Sequence, residues 1–233
     1  MEPLLIYGHP LGSATGLVAA LEWLGQPYRL TRVDLMKDIR TESFLRLNGR
    51  GEAPVLVTGE GEALTETMAI GLWLEARDGE RRITFAPGTR QADLLHQYVA
   101  FLNTGFTGAF SPYWLAMEAP DATEAERGAW RRLGRRMVAG RHDKLEAMIG
   151  DGPYLLGERP TLADAVFVGV ARWADFHQAI DPAAYPKIAA LKARLDDDPA
   201  VRFAMALESG EPATSAALRG HVPLGELTAA MAA

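Results

Sequence analysis

Gly51-Glu52-Ala53-Pro54-Val55-Leu56, followed by Leu64-Thr65-Glu66-Thr67-Met68-Ala69-Ile70, decides how this chain is read. Val55-Leu56-Val57 is a short apolar strand, entered through a proline that has no N–H to give to a ladder. Thr58-Gly59-Glu60-Gly61-Glu62 is a polar, glycine-bearing turn, and Ala63-Leu64 begins the return strand of a β-hairpin with a longer loop. Thr65-Glu66-Thr67 then leads into Met68-Ala69-Ile70-Gly71-Leu72-Trp73-Leu74, whose apolar residues suit a packed helix. The hairpin so delivers a carboxylate and a hydroxyl to the mouth of a helix. A helix N-terminus presents free amide N–H groups and partial positive charge, which attract a carboxylate, while Glu66 suits an ammonium group. A ligand end bearing both charges, as an α-amino acid does, fits such a place.

Working outward, Leu4-Leu5-Ile6-Tyr7 is a short apolar strand and Gly8-His9-Pro10-Leu11-Gly12-Ser13 a turn rich in breakers. Leu17, Val18, Leu21 and Leu24 recur at helical spacing, and Gly25 is a natural stop. Tyr28 to Leu35 alternates as a second strand. The first part therefore reads β-α-β, a connector, then β-β-α, the order of a thioredoxin-like sheet. Beyond Asp78 the strand signal vanishes, and a polar, proline-containing joint precedes residues that read as helix throughout. Gln91 to Met117 is one amphipathic run. Thr123-Glu124-Ala125-Glu126 opens a second helix as a capping box, and Thr161 with Asp164 opens a third whose apolar run, Ala165 to Trp173, predicts the centre of a bundle. The expected fold class is α/β plus all-α: a thioredoxin-like domain over 1–80, an all-helical bundle over 88–208, and a tail over 209–233. That tail is expected either to lie over the active site or to be a loose end.

Composition narrows the function. The 233 residues carry a net charge of −6, which does not favour nucleic acid or an anionic membrane as partner. No run approaches the roughly 18 apolar residues of a membrane helix. Met1 to Tyr7 has no basic segment ahead of its apolar run, so a cytoplasmic location is expected. The absence of cysteine removes disulfides, thiolate metal sites and protein-thiol redox chemistry together. The five histidines lack ligand spacing, so no metal is expected.

The hairpin resembles the glutathione-binding hairpin of the glutathione S-transferase family, and the likeness extends over roughly residues 3 to 207. The resemblance implies a cis bond before Pro54, a backbone contact from Ala53 to the cysteinyl part of glutathione, and γ-glutamyl contacts from Glu66 and Thr67. Thr161 and Asp164 resemble the family's folding box and are structural. Asn48-Gly49-Arg50-Gly51 resembles its turn before the hairpin, so Arg50, or Lys37 in the connector, is a candidate partner for the glycine carboxylate.

Using glutathione as a nucleophile means ionising a thiol that is only about 3% thiolate at neutral pH. A hydrogen-bond donor and a helix N-terminus aimed at sulfur favour the ion. Three residues qualify. Tyr7 resembles the tyrosine of tyrosine-type transferases; Ser13 resembles a replacement of the cysteine of beta-class bacterial enzymes; His9 lies in the same turn. Against these stand a core tyrosine and a serine that only caps a helix. Phe106, Phe110, Tyr113 and Trp114 wall an apolar second-substrate pocket or belong to the bundle core, and Thr107 stands where the beta-class enzymes place a histidine. The resemblance implies a homodimeric transferase that attaches glutathione, as co-substrate, to a small apolar electrophile. A non-catalytic binding or assembly protein, a glutathione-dependent peroxidase and an isomerase are the alternatives; Gly12-Ser13-Ala14 lacks the Ser-Ser-Cys run of the isomerases.

Overall fold

Strand β1 (Leu4–His9), helix α1 (Thr15–Leu24) and strand β2 (Tyr28–Asp34) form the expected βαβ unit, with β1 and β2 parallel. This computed structural model describes residues 2–231. A short helix, α2 (Glu42–Leu47), precedes the hairpin of β3 (Val55–Val57) and β4 (Ala63–Thr65), and α3 (Thr67–Arg77) follows. β3 runs antiparallel to β1, and β4 antiparallel to β3. Alternation along β1 sorts its side chains by face: Leu5 and Tyr7 join the large core under the helices, while Leu4 and Ile6 join a smaller core on the other face.

The joint between the halves is pinned. Asp78 accepts from the N–H groups of Arg82 and Ile83 and from the Thr84 hydroxyl, at 2.7 to 2.9 Å. Arg159 donates to the carbonyls of Arg82 and Thr84, both at 2.7 Å. The helical half comprises α4 (Arg90–Ala100), α5 (Ser111–Glu118), α6 (Glu124–Met148), α7 (Leu162–Phe176), α8 (Pro186–Asp196) and α9 (Pro199–Ser209). The single run expected over 91–117 is broken by a π-helical turn, Phe101–Phe106. Gly105 and Gly108 weaken the helix there, and Pro112 re-enters it in the first turn of α5, where its missing N–H is harmless.

Helix α6 carries the capping box of Thr123 and Glu126. At α7 the Asp164 carboxylate accepts from the N–H and hydroxyl of Thr161, both at 2.8 Å, and from Leu155 N–H at 3.0 Å. Burial pushes the Asp164 carboxyl up to about 6, and those hydrogen bonds oppose the rise. Residues 162–171 of α7 are all buried, as a central bundle helix requires. Helix α1 crosses it in backbone contact: a Cβ on Gly16 would lie 1.8 Å from the Ala165 carbonyl oxygen, and one on Gly169 2.2 Å from that of Ser13. Only glycine permits this approach.

The tail takes neither expected place. β5 (Leu218–His221) pairs in parallel with β2, making a five-stranded sheet in the order β4-β3-β1-β2-β5. Helix α10 (Leu224–Met231) then packs on α2, with Leu227 in the small core. Ser215 ties the approach to β5 to α1, donating to Glu22 at 2.7 Å and accepting from Leu218 N–H at 3.0 Å. The strap covers what would otherwise be an open sheet edge.

Candidate functional site

The three thiol candidates lie along the end of β1 and the turn into α1, in three different situations. Tyr7 is 1% exposed, and its hydroxyl donates to the Leu207 carbonyl of α9 at 3.2 Å. Burial pushes it up to about 12, with Arg32 lowering and Glu208 raising it. His9 closes β1, its carbonyl accepting from Leu35 N–H at 2.8 Å. Ser13 is half-buried, and its hydroxyl has no hydrogen-bond partner among the described residues. It does not cap α1 either, because the cap position falls on Ala14, which has no side-chain bond to give. Of the three hydroxyl or ring groups, Ser13 alone combines a place at the start of α1 with an uncommitted donor.

At the hairpin the Ala53–Pro54 bond is cis, and both residues precede the β3 ladder. Glu66 enters α3 with φ +73° and ψ 124°, a conformation that disfavours any side chain. It is the cap residue of α3 and makes no side-chain cap bond. Thr67 is the first helical residue, and the first N–H groups of α3 have no partner within the helix. Arg50 stands beside this carboxylate instead of apart from it: it donates to Glu66 and to the Thr65 hydroxyl, both at 2.8 Å, and to Glu52 at 3.1 Å. Both members of the Arg50–Glu66 pair are more than half exposed, so the pair adds about 1 kcal/mol or less and yields readily to a competing charge. Lys37 is exposed, 3.7 Å from Asp34.

A small apolar groove lies between α3, α4 and α7; Leu17, Thr67, Met68, Leu72, Val99 and Val166 are among its walls. Leu17 of α1 and Thr67 at the start of α3 both line it. The four aromatic residues divide. Phe106, Phe110 and Tyr113 are core residues, at most 4% exposed, whereas Trp114 is half-buried. Thr107 donates to the Leu102 carbonyl at 2.9 Å.

The accessible aromatic surface joins Trp114, one of the four expected, to Trp173 and Phe176, which were not expected at the site. Trp114 stacks on Phe176 (centroids 5.9 Å apart) and meets Trp173 edge-on at 5.2 Å. Trp173 in turn donates its indole N–H to the Leu11 carbonyl at 2.9 Å, joining this cluster to the Ser13 turn. Arg172, Glu208 and Thr15, which lie beneath that turn, were also missed; no local pattern marks partners so distant in the chain. Among the described residues, no group of three or more His, Cys, Asp or Glu side chains is placed to hold a metal ion, and no helix is long and apolar enough to cross a membrane.

Comparison with known proteins bears on this arrangement. Residues 14–77 match the glutathione S-transferase N-terminal domain model, and residues 129–194 the C-terminal domain model. A glutathione transferase structure from Methylococcus capsulatus is 30% identical with a TM-score of 0.73, over 89% of this chain and 98% of that one. The chain belongs to the glutathione S-transferase family. Glutathione S-transferase GstA of Escherichia coli O157:H7 is 25% identical over 187 residues, 79% of this chain and 88% of that protein. A sphingomonad glutathione S-transferase solved in complex with glutathione is 25% identical with a TM-score of 0.75, over 88% of this chain and 98% of that one. The match to the N-terminal glutathione S-transferase domain covers α1 through α3, and so contains Pro54, Glu66 and Thr67; Ser13 lies one residue before it.

Proposed function

We propose that this chain binds glutathione across the two helix N-termini and transfers it, as thiolate, to a small apolar electrophile. The observation that carries the reading is Glu66: an exposed carboxylate held in a disfavoured backbone conformation beside the free N-terminal amides of α3. Glu66 receives the ammonium group of the γ-glutamyl end, and Thr67 with the α3 amides receives its carboxylate. Arg50 joins this end, where it already meets Glu66, instead of the glycine carboxylate; Lys37 is left as the cation for the glycine end. Ala53 holds the cysteinyl backbone. The sulfur then lies at the start of α1, where the Ser13 hydroxyl and the helix field stabilise its anion.

Binding releases the thiol proton to solvent. The thiolate forms a new S–C bond, and the leaving group departs with the electron pair of the bond it breaks. Proximity and charge stabilisation supply the rate enhancement, with no metal taking part. Trp114, Trp173 and Phe176 offer the second substrate an apolar face. A second copy of the chain covers the groove beside Leu72, which is 53% exposed; sedimentation of wild type and L72E checks this, a dimer that dissociates in the variant being the expected result.

The transfer itself is tested by conjugation rates with a panel of aryl and alkyl halides. S13A is expected to lower kcat/KM about 10- to 100-fold, and Y7F to change it little because that hydroxyl is committed to Leu207. A full rate in S13A with a collapse in Y7F contradicts the assignment of the sulfur's partner.

A further inference from the structure

The buried charges of the helical half converge beneath the turn that carries Ser13. Arg172 of α7 and Glu208 of α9 form an ion pair with side chains only 16% and 7% exposed. Arg172 Nη2 donates to the Gly12 carbonyl at 2.8 Å and reaches the Thr15 hydroxyl at 3.0 Å. Thr15 Oγ1 donates to Glu208 Oε2 at 2.7 Å. From β2, Arg32 donates through Nε and Nη2 to the Glu208 carbonyl, at 3.2 and 2.8 Å. Helices α7 and α9 thus hold the turn at Gly12 and the first residue of α1, and β2 braces α9 through the Glu208 carbonyl.

Stability alone is a poor reason for this arrangement. Taking two charges out of water costs several kcal/mol per ion, and a well-packed apolar replacement is often as stable or more so. What the pair supplies is a fixed geometry and a fixed field at the residues flanking Ser13. We propose that Arg172 and Glu208 are positioning residues for the sulfur: they hold Gly12 and Thr15 in place and set the electric field in which a thiol at Ser13 ionises. This rests on the glutathione reading given above.

The two residues act with opposite sign. The guanidinium favours the thiolate and the carboxylate opposes it. The other titratable or charged groups around the turn are His9 and Tyr7 on β1, Arg32 and Asp34 on β2, and His221 on β5, whose ring lies 6.4 Å from that of Tyr7.

Opposite signs separate a field effect from simple loosening of the fold. The ultraviolet thiolate absorbance of glutathione bound to the full chain, titrated against pH in wild type, R172M and E208Q, gives the test. R172M is expected to raise the apparent pKa of the bound thiol, and E208Q to lower it, each by about half a unit or more. Both variants are expected to melt at lower temperature. Thiol titrations that move in the same direction, or that do not move, overturn the proposal while leaving the transferase reading intact. If R172M does not fold, E208Q decides alone, because glutamine keeps the shape and the acceptor for Thr15: a lowered titration supports the proposal, and an unmoved or raised one overturns it. A wild type that binds no glutathione overturns the transferase reading and this proposal with it.

Discussion

Trp173 and Leu11 meet across the two halves of the molecule, the indole N–H of α7 donating to a carbonyl in the β1–α1 turn at 2.9 Å. Leu11 is held there at φ +57°, a conformation that an isolated leucine avoids. One side chain therefore joins the aromatic surface to the turn proposed to hold the sulfur. Trp173→Phe keeps a ring against Phe110 and Trp114 but leaves the carbonyl without its donor. A loss of about 1–3 kcal/mol in unfolding free energy is expected, together with a raised KM for glutathione. Urea unfolding and steady-state kinetics check both; unchanged values contradict the linking role.

Glu66 offers a sharper separation of stability from function. At φ +73°, glycine relieves the strain that glutamate bears, and the Arg50 pair lost with it is exposed. Glu66→Gly is expected to be as stable as wild type or up to about 1 kcal/mol more so, while glutathione affinity falls by about tenfold or more. A variant that is both stabilised and fully able to bind contradicts the proposed role.

The strap formed by β5 and α10 is expected to contribute to global stability. Leu227 is 7% exposed in the small core, and Val222 N–H donates to the Leu30 carbonyl at 2.8 Å. Leu227→Ala should cost about 2–4 kcal/mol. Hydrogen exchange of β2 amides should quicken when the residues beyond 211 are removed. Unchanged protection of β2 contradicts the pairing.

Much of the thioredoxin-like half is written locally, and the strap shows why the remainder is not. Pro54, the polar turn at 58–62 and the Thr65-Glu66-Thr67 run are neighbours in sequence, so their chemistry and their geometry coincide. The same holds for the capping box of Thr123 and Glu126. Leu218–His221 is only four residues long, contains Gly220, and pairs with a strand about 190 residues earlier, so its pattern is too short to mark an edge strand. The direction of the Tyr7 hydroxyl is set by Leu207, and the place of Gly12 by Arg172; neither partner can be found from spacing. The break at Phe101–Phe106 lies inside an amphipathic run whose apolar pattern continues through it.

His142 makes the fold sensitive to acid. It is 2% exposed, packed 4.7 Å from the Phe106 ring and 5.3 Å from that of Tyr185, and Nδ1 lies 2.9 Å from the Val138 carbonyl. Burial lowers its pKa, against smaller opposing effects from that hydrogen bond and from Asp143, Asp175 and Glu146. The folded state therefore prefers the neutral ring. Its contribution is complete above the unfolded value of about 6.5 and is lost as pH falls below it towards the folded value. His177 and His221 shift the same way through burial and add to the slope. Between about pH 7 and pH 5 the melting temperature is expected to fall more, or rise less, in wild type than in His142→Gln. An equal slope in the variant removes His142 from the explanation.

The most direct test of the glutathione site is a calorimetric titration of the full chain with glutathione and with S-hexylglutathione, beside Glu66→Ala. Saturable binding of both ligands by the wild type, weakened about tenfold or more in the variant with little change in melting temperature, is the expected result. No heat of binding from the wild type at millimolar ligand, or equal affinity in Glu66→Ala, contradicts the proposal that the α3 N-terminus holds the γ-glutamyl end.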